Sequence, residues 1–127
     1  MNFDIIDSHH HLFDLNRVYY PWLTDRPEPN FLLGNYEAIN RNYSPTDYHL
    51  DKGLLQVVKT VHVEAETDRN DPVAETRWLA EIMEREEIPN AIVAHAWLNE
   101  VDSEAVLVAQ SEFKNVRGIR SKPITSA

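Results

Sequence analysis

The sequence predicts an α/β fold in which about four parallel strands are joined by crossover helices. Short β-branched runs alternate along the chain with segments whose apolar residues recur at helical spacing. That alternation implies parallel pairing through right-handed crossovers. Size agrees: 127 residues with 43% hydrophobic side chains suit a single domain, residues 1–127, with a modest core.

The elements follow in order. Residues 3–8, Phe3-Asp4-Ile5-Ile6-Asp7-Ser8, read as a strand that runs straight into three consecutive histidines, His9, His10 and His11. A long loop with a short helix, residues 12–52, separates it from the second strand. Residues 12–44 are irregular and carry Tyr19-Tyr20-Pro21-Trp22-Leu23 and Arg26-Pro27-Glu28-Pro29-Asn30. So many aromatics argue against disorder, and a long loop inside a compact domain is usually functional, so an ordered lid or wall is expected. Ser44-Pro45-Thr46-Asp47 has the make-up of a helix start, with Ser44 as cap and proline in the first turn; the helix should end near Gly53.

Residues 55–65 contain the second strand, apolar and β-branched enough to be a buried parallel strand. A helix over 72–87 follows, with Asp71 as its cap. Val73, Thr76, Leu79, Ala80 and Met83 should be its inner face, and Glu75, Arg77, Glu81, Glu84 and Arg85 the polar positions between them. Residues 91–98 form the third strand, 102–111 a second crossover helix opened by Asp102 or Ser103, and 115–121 a fourth strand.

Twelve basic against twenty-one acidic side chains give a net charge of −9, which repels nucleic-acid phosphates and anionic lipid. With no cysteine, a disulfide framework, a thiolate nucleophile and a cysteine metal site are all excluded. No apolar run approaches the roughly 18 residues of a membrane span. Met1-Asn2-Phe3-Asp4 lacks the basic and apolar regions of a signal peptide, so a cytoplasmic location is expected.

Chemistry concentrates at strand ends. Alternation along a strand puts Asp7, His9 and His11 on one face and Ser8 and His10 on the other. Two imidazoles so spaced can converge on one divalent metal, zinc by preference, or donate hydrogen bonds to an anionic substrate group. His62 and Glu64 share a face by the same rule, opposite Val61 and Val63. The valines are assigned to the helix-packing side and Glu64 to the inner side near the strand's carboxyl end. His95 falls mid-strand on the face of Val93 and Trp97, where a hydrogen-bonded core histidine is the commoner arrangement. Arg120 ends the fourth strand on the face of Val116 and Gly118, placed for bidentate recognition or for an ion pair. Tyr20 and Trp22 are candidates for a pocket wall, or for packing of the loop.

Asp7-Ser8-His9-His10-His11-Leu12-Phe13-Asp14 followed by Tyr20-Pro21-Trp22-Leu23 resembles the opening of the amidohydrolase superfamily, and more narrowly its amidohydrolase-2 group. Val61-His62-Val63-Glu64-Ala65, Asp71-Pro72-Val73-Ala74-Glu75-Thr76-Arg77-Trp78-Leu79 and Asn115-Val116-Arg117-Gly118-Ile119-Arg120 fit in the same order. The resemblance implies the N-terminal half of a (β/α)8 TIM barrel, since a complete one needs about 250 residues. It also implies a metal-dependent hydrolase that opens a cyclic ester (lactone) or an amide of a small organic acid. His9 and His11 would hold the metal. Arg120, Glu64, Tyr20 and Trp22 would meet the small-molecule substrate. Some lactonases of the group work without bound metal, and the group often carries glutamine where Glu64 stands.

The later histidines and the catalytic aspartate of the family come from strands beyond the fourth and have no counterpart here. The competing expectation is therefore a catalytically incomplete fragment, with no complete set of catalytic residues, acting as a metal-binding or structural half-barrel. Such a half-barrel should self-associate through its open edges.

Overall fold

A computed structural model describes residues 3–25 and 34–122. Arg26-Pro27-Glu28-Pro29-Asn30, within the expected lid, lies outside the described residues. Four strands form a single parallel sheet in sequential order. They are β1 (Ile5–His10), β2 (Val57–Val63), β3 (Ala91–His95) and β4 (Val116–Arg120). Helices α1 (Pro21–Thr24), α2 (Pro45–Asp51), α3 (Ala74–Met83) and α4 (Ser103–Ser111) occupy the connections. The topology is that of the N-terminal half of a (β/α)8 barrel. Among the described residues no helix is long and apolar enough to cross a membrane.

The start of α2 follows from its sequence. Ser44 Oγ accepts from the Asp47 amide, and the Asp47 carboxylate accepts from the Ser44 amide. This reciprocal pair satisfies two backbone donors that a helix start leaves open. Helix α3 departs from expectation at both ends. It begins at Ala74 rather than 72, and the Asp71 carboxylate, instead of capping it, pairs with Arg77. It ends at Met83, four residues short of the expected 87.

The inner stripe of α3 is also rotated from the expected one. Glu75, Thr76, Trp78, Leu79 and Ile82 are buried, whereas Val73, Ala80 and Met83 are half-buried. A stripe at 75, 78, 79 and 82 is regular helical spacing, but one of its members is a carboxylate. Trp78, Leu79 and Ile82 pack with Ile92 and Ala94 of β3 and with Leu12, Val18, Tyr20 and Leu23 of the long connection. The described residues of that connection are therefore held by burial of their aromatics, and a Phe13–Tyr43 bridge joins its two arms.

Ile92 and Ala94 pack with α3, so His62, which is in register with Ile92, shares the α3 face. Val61 and Val63, in register with Ala91 and Val93, lie on the opposite face. This corrects the assignment of the two valines to the helix-packing side: neighbours in a parallel ladder point the same way. The first strand also breaks simple alternation. Asp7 and His10 are partnered by Thr60 and His62, so three steps along β1 match two along β2. The extra residue brings Asp7 and His10 to the same side, both against Tyr48 of α2.

Candidate functional site at the carboxyl ends of the strands

In a parallel β/α sheet the carboxyl ends of the strands share one rim, where loops and strand ends make sites. His9 and His10 close β1, Glu64 follows β2, His95 ends β3 and Arg120 ends β4. Four adjacent strands thus deliver ionisable side chains to the same rim.

Glu64 is fully buried. Its Oε1 accepts from Arg120 Nε at 2.5 Å, and Arg120 Nη2 donates to the Glu64 carbonyl. Its Oε2 accepts from the Glu66 amide at 2.7 Å and lies 3.0 Å from His95 Nδ1. Lys122 Nζ stands 3.9 Å from Oε1 and 2.6 Å from the Glu66 carboxylate. Burial opposes the charged form of Glu64, but the contact with His95 and the charges of Lys122, His95 and Arg120 outweigh it and bring the carboxyl down to about 2. Glu64 is therefore ionised at neutral pH.

His62 and Glu64, expected to share a face, are separated. Strand β2 ends at Val63, although the Glu64 amide still donates to the Val93 carbonyl at 2.8 Å, and two residues on Glu66 is left-handed, φ 60°. Glu64 swings toward His95 and Arg120, while His62 keeps the α3 side with its Nε2 3.2 Å from Glu75 Oε1.

The histidine run divides its labour. The rings of His9 and His11 meet edge-to-face with centroids 5.1 Å apart. His9 is exposed and His11 half-buried. His10 turns away and is buried, with its Nε2 2.9 Å from Thr60 Oγ1. Burial first, and then the neighbouring His62, lower the pKa of both His10 and His11 to about 4, so both are neutral at pH 7.

His11 Nδ1 lies 2.7 Å from the Val63 carbonyl. A carbonyl accepts and cannot donate, so the proton sits on Nδ1 and Nε2 keeps its lone pair. A neutral imidazole with Nδ1–H on a carbonyl is the arrangement that suits an Nε2 metal ligand. His9 and His11 thus fit part of a donor set. Among the described residues no group of three or more histidine, aspartate or glutamate side chains is arranged to hold a metal ion.

Tyr20 is fully buried, and its hydroxyl donates to Glu75 Oε1 at 2.8 Å, so it has no surface to offer a ligand. Trp22 is half-buried, and its indole N–H donates to the Ala65 carbonyl at 2.8 Å. Trp97 stacks edge-on against His95 at 4.7 Å and lies under the Arg69 guanidinium at 4.0 Å. Sequence reasoning missed Glu75, Lys122 and Thr60. Glu75 looked like a solvent position of an amphipathic helix, and the signal that could have found it is its place in the 75–78–79–82 stripe. Lys122 sits two residues beyond Arg120, past the end of β4, and it reaches the same Glu64 carboxylate.

A protein of Sinorhizobium fredii (strain NBRC 101917 / NGR234), described as "Uncharacterized protein y4mH", is 38% identical to this chain over 116 residues. The match covers 91% of this chain and 39% of the relative, so the chain spans about two fifths of the length of the curated relative it matches. No protein-family model matches the chain. No solved structure matches it.

Proposed function

We propose that this chain is the N-terminal half of an amidohydrolase-type barrel, a half-barrel that carries part of a hydrolytic site and is catalytically incomplete by itself. The observation that supports this is the arrival of His9, His11, Glu64, His95 and Arg120 at one rim, from four adjacent parallel strands. The absence of a three-ligand cluster among the described residues favours the incomplete reading over a self-sufficient enzyme. In the whole protein the reaction would be hydrolysis of a lactone, or of an amide, of a small organic acid.

His9 and His11 would hold a divalent metal, zinc by preference. When bound, such a metal polarises a carbonyl and lowers the pKa of water. The chain's own residues would do the rest. His11 offers Nε2 because its Nδ1 is committed to Val63. Arg120 presents its guanidinium at the rim, half-buried, with its Nε held by Glu64. Glu64 would therefore position Arg120 rather than meet substrate directly, since its carboxylate is already occupied by Arg120, the Glu66 amide and His95.

The test is metal analysis with a lactone-hydrolysis screen on a longer protein that carries the remaining strands, with and without the paired H9A/H11A substitutions. Lactone turnover that disappears in the paired variant is the expected result. A longer protein inert across the screen, or turnover indifferent to both histidines, would overturn the reading.

A further inference from the structure

Beneath the histidine run lies a buried polar group that the proposed chemistry does not use. Glu75 and His62 are both essentially without solvent exposure. His62 Nδ1 accepts the backbone N–H of Leu12 at 3.2 Å. A backbone amide can only donate, so Nδ1 carries no proton and the proton sits on Nε2. That Nε2 lies 3.2 Å from Glu75 Oε1. The carboxylate is held in turn by the Tyr20 hydroxyl at 2.8 Å and by the Ala65 amide, 3.3 Å from Oε1 and 3.2 Å from Oε2.

The geometry closes on itself. The His11 side chain donates to the Val63 main chain, and the Leu12 main chain donates to the His62 side chain. Two consecutive residues of one segment are thus clamped reciprocally to two consecutive residues of β2. Each contact forces one imidazole tautomer: Nδ1–H in His11 and Nε2–H in His62. Glu75, whose carboxylate faces Nε2 at 3.2 Å by charge rather than in hydrogen-bond geometry, is the group that favours the His62 tautomer able to accept Leu12.

We infer that Glu75, acting through His62, is a positioning residue for His11. It holds the Leu12 amide and so sets the direction in which the free Nε2 of His11 points. This rests on the reading of His11 as a ligand, but the clamp can be tested apart from that reading. The amide in Glu75→Gln has one acceptor oxygen and no charge, where the carboxylate offers two oxygens to the Tyr20 hydroxyl and the Ala65 amide and a negative charge to His62. Its NH2 group then faces a donor, and His62 loses the partner that fixes its tautomer.

The experiment pairs ¹⁵N spectra of the histidine rings with titration of the 127-residue chain by Zn²⁺ alone, for the wild type and for E75Q. The wild type should show His11 as a single Nδ1–H tautomer and His62 as a single Nε2–H tautomer. In E75Q the His62 signature should give way to a mixture of tautomers, and Zn²⁺ affinity should fall by up to about 10-fold, the low end of what losing a ligand's own hydrogen-bond partner costs. A loss of global stability alone would not change the tautomer of His62. An unchanged His62 tautomer in folded E75Q overturns the inference, whatever the affinity does. If the wild type takes up no Zn²⁺, the ligand reading fails, while the tautomer comparison still decides the clamp. Should E75Q fail to fold, Y20F removes one donor from Glu75 and leaves its charge. The same spectral change, smaller in extent, is then expected, and an unchanged Y20F spectrum overturns the clamp.

Discussion

Replacing Glu64 with glutamine removes the charge on which Arg120, Lys122 and His95 converge. The carboxyl stands at about 2 in the folded chain against an ordinary value of 4.5. A difference of that size corresponds to about 3 kcal/mol of stability. The sign follows from the depressed folded value. The contribution is fully present above pH 4.5 and is lost as pH falls through about 2. Glutamine cannot titrate, so E64Q should be less stable than wild type by about 3 kcal/mol at pH 7. That gap should narrow steadily between pH 4.5 and pH 2. Urea denaturation of both proteins, at equal protein concentration and at several pH values, measures the gap directly. Taking the difference cancels other carboxylates that titrate alike in both proteins. A gap that stays constant from pH 7 to pH 2, or E64Q as stable as wild type at pH 7, would refute the reasoning.

Other consequences can be checked more simply. Ser44→Ala removes the acceptor of the α2 capping box and should cost about 1 kcal/mol in urea denaturation. Leu79→Ala opens a cavity at a fully buried position of α3 and should cost about 2–5 kcal/mol by the same measurement. In sedimentation equilibrium at micromolar concentration the 127-residue chain should self-associate. Strands β1 and β4 end the described sheet, a hollow of about 500 Å³ runs along β1 between Ile6, Tyr48 and Leu55, and Ile6 is exposed. A compact monomer that unfolds cooperatively would count against that expectation.

Much of the scaffold was legible because its signals are local. Strand segments and their order came from runs such as Val57-Val58 and Ala91-Ile92-Val93, and the α2 start came from Ser44-Pro45-Asp47. The site was less legible because it depends on departures from regular geometry. An extra residue between Asp7 and His10 brings Asp7 to the side of His10 rather than of His9, although His9 and His11 still meet as alternation predicts. Glu64 is drawn to His95 and Arg120, partners from β3 and β4, while His62 faces Glu75 of α3. Glu75 occupies a core position of α3, where a count of apolar residues alone shifts the stripe by one. Its burial makes sense once the two donors that meet it, the Tyr20 hydroxyl and the Ala65 amide, and the nearby His62 ring are known, all distant in sequence or contributed by the chain after β2.

The central claim is that this half-barrel carries part of a hydrolytic site and needs further strands to complete it. Its most direct measurement is lactone turnover by the 127-residue chain alone, supplied with Zn²⁺ and compared mole for mole with a longer protein that carries the remaining strands. The account predicts turnover by the longer protein and none above background by the chain alone. Turnover by the chain alone would contradict it, because the groups at the rim of β1–β4 would then suffice for the chemistry.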